Sequence, residues 1–291
     1  MVMHFQRLAL IGCGLIGGSF ALGLKAQQRV SQVVGFSASE ASKDKALALG
    51  VIDAKAASVS AAIQGADLVL VAVPVNAVEA CLKEMIGHLD PNALVMDVGS
   101  TKAEISRQGQ HILGSQAHQF VPAHPIAGKE LHGVEHATAN LFVKHKTILT
   151  PTPLNTPVQI ELAREAWESL GSEVLCMNPD EHDKALAGIS HLPHFIAFAA
   201  VNALNSQNER ETFWRLAGPG FRDFTRIAAS SPAVWRDIFL SNPQEIRLQL
   251  KAFQNALQEL DSALMSDDAS AALERLIDAA SSARKAWSHT A

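Results

Sequence analysis

The sequence predicts an α/β fold up to about residue 180 and an all-α remainder. Three observations carry that reading. Short apolar runs, "RLALIG", "QVVGFS", "ADLVLVAVP" and "ALVMDVG", alternate with helical patterns through the first half. The first run leads straight into Gly12-x-Gly14-x-x-Gly17. After "NPDEHDKALA" the strand signals stop and only helical segments follow.

The totals narrow the function classes. A chain of 291 residues suits one large domain or two ordinary ones. With 48% hydrophobic and 18% charged residues it can bury a sizeable core. A net charge of −5 without a long charge run argues against nucleic acid or an anionic membrane as partner. Cys13, Cys81 and Cys176 are far apart and show no metal spacing, so a reduced, cytoplasmic setting is expected. Residues 8–24 are uncharged, yet their five glycines read as strand, turn and buried helix rather than a membrane segment.

Taken in order, "RLALIGCGLIGGS" gives a strand, a glycine turn and a helix start, which is the context a dinucleotide-binding loop requires. Gly12 permits the tight turn, Gly14 lets the backbone approach a pyrophosphate, and Gly17 lets helix and strand pack closely. The amides of the helix N-terminus would then face the phosphates. The next strand, "QVVGFS", ends at Ser37, where an acidic residue would bind the ribose 2′-hydroxyl of NAD. Serine there, with Lys43 and Lys45 nearby, favours NADP, with NAD still possible; equally, the serines can simply cap the following helix. "ADLVLVAVPVNAV" is a buried parallel strand ending at Pro74. "ALVMDVGSTKAEI" is another, and it places Gly99 and Ser100 at a carboxyl edge, where open α/β sheets bind ligands. Ser100 could also cap the next helix. Phe120 and Val121 read as a further short strand, which carries His124 of "AHPIAGKE" to the same edge. "KTILTPT" and "SEVLCMN" are later strands with the helix "VQIELAREAWESL" between them. The expected cofactor contacts are Gly12, Gly14, Leu15, Ile16, Gly17, Ser37, Val73, Pro74 and Gly99.

The expected domains are therefore a Rossmann-type dinucleotide-binding domain, 1–180, and a helical substrate and dimerisation domain, 181–291. "ISHLPHFIAFAAVNAL" is apolar nearly all round, which implies burial on every side and, in so small a domain, packing against a second copy of the chain. Pro243 fits a helix start, and Asp267 or Asp268 an N-cap.

The segments "GCGLIGGS", "DVGSTK", "HPIAGKE", "SHLPH" and "GFRDFTRIAASSPAVWRDIF", in this order, resemble the prephenate/arogenate dehydrogenase family. The resemblance implies oxidative decarboxylation of a cyclohexadiene with a hydroxyl at C4 and a carboxylate at C1. Hydride passes to NAD(P) and carbon dioxide leaves as the ring becomes aromatic, in tyrosine biosynthesis. It further implies that His124 accepts the proton of the C4 hydroxyl and that Ser100 orients His124. His191 and His194 would line the site, Arg226 would bind a substrate carboxylate with Arg222 near it, and Glu130 and Trp235 would shape the pocket. No metal is expected, although His191 and His194 with His182 or Asp183 form a weak metal pattern. The rivals are a hydroxyacid-type dehydrogenase, which would centre on a lysine of the helical domain, and a non-catalytic NADP-binding sensor.

Overall fold

The computed structural model describes residues 3–128 and 131–288. It forms two compact units, Met1–Asn242 and Pro243–Ala291.

The first unit opens with β1 (Phe5–Ile11), α1 (Leu15–Ala26), β2 (Val30–Phe36), α2 (Glu40–Ala48) and β3 (Ala54–Lys55). It continues with α3 (Val59–Ile63), β4 (Leu68–Val71), α4 (Val75–Met85), β5 (Leu94–Asp97) and α5 (Ala103–Leu113). The five strands pair in parallel in the order β3-β2-β1-β4-β5. Leu8–Ile11 and every residue of β4 and β5 are fully buried, because helices cover both faces of the sheet. The apolar stretch at residues 8–24 is thereby divided between a strand and a helix by the glycine loop.

Register aligns the strand ends. Ile11 pairs with both Phe36 and Val71, and Val71 pairs with Asp97. The residues that follow, Gly12, Ser37, Ala72 and Val98, therefore lie along one carboxyl edge.

A second sheet follows, built from β6 (Ala123–Ile126), β7 (Lys146–Leu149) and β8 (Glu173–Cys176), with α6 (Pro157–Glu168) between the last two. Its order is β6-β7-β8, antiparallel then parallel. Here the structure differs from the expectation. Phe120 forms only an isolated bridge to Val95, and His124 itself lies in a strand, opposite Ile148. Pro125 is tolerated because β6 is an edge strand.

Helices α7 (Pro179–Leu186), α8 (Leu192–Asn205), α9 (Arg210–Leu216), α10 (Pro219–Thr225) and α11 (Pro232–Ser241) complete this unit. Asn178 caps α7 in a reciprocal capping box with Glu181, and Pro179 starts it. A π-helical turn, Ala187–His191, joins α7 to α8. These helices remain with the sheet unit, and the compact units divide after Asn242. The reason is side-chain ties: Asp183 binds the start of α5, and Asn242 donates to the Asp183 carbonyl at 2.8 Å. Within the chain, only Ala197 of α8 is buried, so the rest of this apolar helix is left at least partly exposed.

The second unit is a hairpin of α12 (Pro243–Leu264) and α13 (Ala269–Ser288). Asp268 caps α13 through Ala271 N–H at 3.3 Å.

Candidate active site

The glycine loop is backbone-built. Gly12 has φ +102°, and a Cβ there would lie 2.2 Å from the Ala72 carbonyl oxygen. At Gly17 a Cβ would lie 2.5 Å from the Gly12 oxygen. Gly14 is the opposite case: nothing lies within 4 Å of a Cβ, and as N-cap of α1 it offers no side-chain cap. The first amides of α1 thus face an open cradle, which fits a pyrophosphate. Leu15 and Ile16 turn their side chains toward the core, leaving their backbone for contact. Val73 and Pro74 follow β4, and Pro74 caps α4. Gly99 is structural as well, since its N–H donates to Asp97 Oδ2 at 2.7 Å and a Cβ would strike Ile105.

Ser37 lies half-buried just beyond β2, and Ser39 caps α2 through Ser42 N–H. The two lysines enlisted for a phosphate are engaged elsewhere. Lys43 is buried, 2.6 Å from Glu40 and 5.6 Å from the centre of the Phe36 ring, while Lys45 lies 3.1 Å from Glu135.

Next to this edge, Asp97 and Lys102 form an ion pair with no solvent exposure. Asp97 Oδ1 accepts from Ala123 N–H at 3.1 Å, and Lys102 Nζ donates to the Ala123 carbonyl at 2.9 Å. Burial pulls the Lys102 ammonium below its usual range and Asp97 opposes it. The pair clamps the residue before His124, fixing β6 against the end of β5.

His124 is buried, and its Nδ1 lies 2.8 Å from His182 Nε2. His182 Nδ1 lies 2.8 Å from Asp183 Oδ1. Asp183 accepts from Lys102 N–H at 2.7 Å and Ala103 N–H at 3.0 Å, capping α5 from another helix. The N-cap of α5 is Lys102 rather than Ser100, its first amides are taken by Asp183, and His124 Nδ1 meets His182. A backbone group of Ser100 does lie against His191, so the serine borders the cluster. Burial pushes the His124 imidazole well down, helped by His182, Lys102 and His191. Burial also lowers His182, against the pull of Asp183. Burial alone would raise Asp183, but its hydrogen bonds from His182 and the α5 amides hold it below the usual carboxylate range. His191 is pushed down to about 4, chiefly by burial.

The π-helical turn carries His191 to the inner side of the helix, 3.5 Å from Asn242 Nδ2 through its Nδ1. His194, one turn on, bonds the Ser190 carbonyl through Nδ1 at 2.9 Å and stacks on Trp235 with ring centres 3.5 Å apart. Arg226, exposed in the short turn after α10, is close enough for its charge to lower the His194 pKa, which burial lowers first. The structure thus brings together His124, Ser100, His191, His194, Trp235 and Arg226. Arg222 is exposed on α10. Glu130 lies outside the described residues. Sequence reasoning missed His182 and Asp183 as partners of His124, weighing them only as metal ligands. The available signal was an adjacent His–Asp pair in the first turns of a well-capped helix. Among the described residues no group of three or more His, Cys, Asp or Glu is arranged to hold a metal.

Residues 20–176 match the family model for the prephenate dehydrogenase nucleotide-binding domain, and residues 178–278 match that for the prephenate dehydrogenase dimerization domain. Cyclohexadienyl dehydrogenase of Zymomonas mobilis is 36% identical over 273 residues, covering 93% of this chain and 92% of the relative. Prephenate dehydrogenase of Bacillus subtilis is 37% identical over 256 residues, 87% of this chain and 68% of the relative. A crystal structure of prephenate dehydrogenase from Aquifex aeolicus, in complex with hydroxyphenyl propionate and NAD+, superposes with TM-score 0.90 at 33% identity. That match covers 98% of this chain and 99% of the other.

Proposed function

The chain belongs to the prephenate/arogenate dehydrogenase family, and from that premise we propose how its residues carry the reaction. The enzyme is a nicotinamide-dependent dehydrogenase that oxidatively decarboxylates a cyclohexadienyl substrate in tyrosine biosynthesis. When bound, the nicotinamide supplies the acceptor for the hydride that leaves C4. The carrying observation is His124: a buried imidazole, kept neutral by its surroundings, clamped through Ala123 to the carboxyl edge of the dinucleotide-binding sheet.

A neutral imidazole near pH 7 can take the proton of the C4 hydroxyl. Arg226 offers a forked cation for a substrate carboxylate. His194 and Trp235 stack as one wall, so the histidine keeps a fixed ring plane. His191 and Ser100 border the same space. Aromatisation supplies much of the driving force, so the protein's work is positioning and the management of one proton.

Prephenate and arogenate differ at the keto or amino group of the side chain, and the residues above act on the ring they share. For the cofactor, NADP is the reading that Ser37 supports, since no carboxylate stands there to repel a 2′-phosphate. With Lys43 and Lys45 held in ion pairs, the preference rests on tolerance rather than attraction. It should stay within about tenfold in kcat/KM, roughly 1.4 kcal/mol. A steady-state assay of both substrates with both cofactors tests the whole reading. Turnover with NADP and at least one substrate is expected; no turnover in any combination overturns the function, and a strong NAD preference overturns the Ser37 argument.

A homodimer is proposed from the helical run Pro179–Asn205, the most apolar long run among the described helices, of whose apolar window only 22% is buried within the chain. Exposed Ile189 and Phe195 lie on it. A monomeric mass by sedimentation at micromolar concentration would remove this assignment. A cytoplasmic setting is inferred from three free cysteines.

A further inference from the structure

We propose that His182, held by Asp183, is the positioning residue that fixes the tautomer of His124 and so leaves its Nε2 as the proton-accepting atom. The proposal deepens the reading above and rests on it.

The argument follows donors and acceptors along one line. Asp183 already accepts two backbone N–H groups at the N-terminus of α5, 2.7 and 3.0 Å away. A carboxylate in that position stays ionised and can only accept. His182 Nδ1, 2.8 Å from Asp183 Oδ1, must then carry a proton. A neutral imidazole has one N–H, so His182 Nε2 is an acceptor. His124 Nδ1, 2.8 Å from that Nε2, must donate to it. The lone pair of neutral His124 is left on Nε2, the ring nitrogen outside this line. The reversed polarity would need an imidazolium at His182, a side chain without solvent exposure that shares its surroundings with the Lys102 ammonium.

The same line serves the charged state. When the C4 O–H bond breaks, its proton forms the Nε2–H bond of His124 and its electron pair becomes the C4 carbonyl π bond as hydride departs. The electrons of the breaking C1–carboxylate bond then convert the ring to a phenolate, which can take a proton back. Throughout, the Nδ1–H of His124 keeps its acceptor, and Asp183 polarises that acceptor from behind. A second His–Asp unit thus stands behind the first histidine, where a single carboxylate serves in serine hydrolases.

The test uses the full chain labelled with 15N-histidine, in wild-type form and as His182→Leu, His182→Gln and Asp183→Asn. Multiple-bond 15N–1H spectra report which ring nitrogen of His124 holds the proton, the signals being assigned by their loss in His124→Asn. In the wild type the proton is expected on Nδ1. His182→Leu should mix the tautomers and lower kcat about 100-fold, with little change in the KM of the cofactor. His182→Gln offers a carbonyl acceptor and should restore the tautomer and most of kcat. Asp183→Asn should loosen the tautomer to a lesser degree. A wild-type proton on Nε2 overturns the proposal without any variant needing to fold. So does full kcat in His182→Leu, or equal loss in the Leu and Gln variants with the tautomer unchanged, which would mean a packing role. Wild-type inactivity on prephenate and arogenate would instead defeat the functional reading, since the spectra report the tautomer independently of turnover.

Discussion

The glycine loop and the histidine line stand side by side in one unit, yet they are built in opposite ways. The loop works through what it lacks. Gly12 and Gly17 leave out side chains that would collide with backbone 2.2 and 2.5 Å away, and Gly14 leaves space open. The histidine line works through what it adds: three buried polar side chains, His124, His182 and Asp183, each satisfied by the next. A backbone site costs little beyond the entropy of its glycines. A buried polar line is favourable only when every member is paired. The comparison teaches that cofactor binding and proton handling can fail separately here.

The largest effect is expected where the line meets the substrate. His124→Asn should lower kcat by about 10³-fold, within the range for loss of a general base, with the dinucleotide dissociation constant nearly unchanged. Kinetics beside cofactor titration would check it; equal loss of both would break the separation.

Acid should reach the line before the loop. His191 has its folded-state pKa lowered from 6.5 to about 4, mainly by burial. Between those values the unfolded chain binds a proton that the folded chain refuses, so stability falls as pH drops from about 6.5 to about 4 and changes no further from this group below that. The ceiling is on the order of 3 kcal/mol. Lowered values at His124 and His182 act in the same direction. Urea unfolding across this window should show a shallower acid loss in His191→Gln than in the wild type.

The smallest effect should sharpen the other side of the comparison. Gly14→Ala adds a methyl into open space, so folding stability should change by less than about 0.5 kcal/mol. Cofactor affinity should nevertheless fall roughly tenfold, because the cradle is partly filled. An unchanged affinity would show that the phosphates do not approach Gly14.

The two regions also differ in how far they could be read from the sequence. The loop is contiguous, so its strand, glycines and helix all stand within a few residues, and its purpose is legible from Gly12 to Gly17. Ser100 stands out for a related reason, since it follows a strand that ends at a ligand-binding edge, whereas His124 lies within a strand of its own. The line behind His124 is discontinuous, since His182 lies 58 positions away and meets it only through tertiary packing. Nothing local shows either that Asp183 of α7 reaches the start of α5, a contact made only in the folded chain. The strand at Ala123–Ile126 was obscured by Pro125, which reads as a breaker unless the strand is known to be an edge. The apolar character of α8 was legible, but apolarity does not say whether burial comes from the same chain. The π-helical turn leaves no pattern of its own, because it adds a residue to a helix without interrupting its hydrogen bonding.

That turn has a consequence for how the sequence can change. It acts as a phase shift: one residue beyond the regular count displaces everything downstream by about 100° around the helix axis. His182 and Asp183 lie before it, and His191, His194 and the apolar face of α8 lie at or after it. Loss of a single codon within Ala187–His191 would restore a regular helix while rotating the second pair of histidines and the apolar face together. Point substitutions in this segment are local events; an insertion or deletion is a gear change, engaging site and surface in one step.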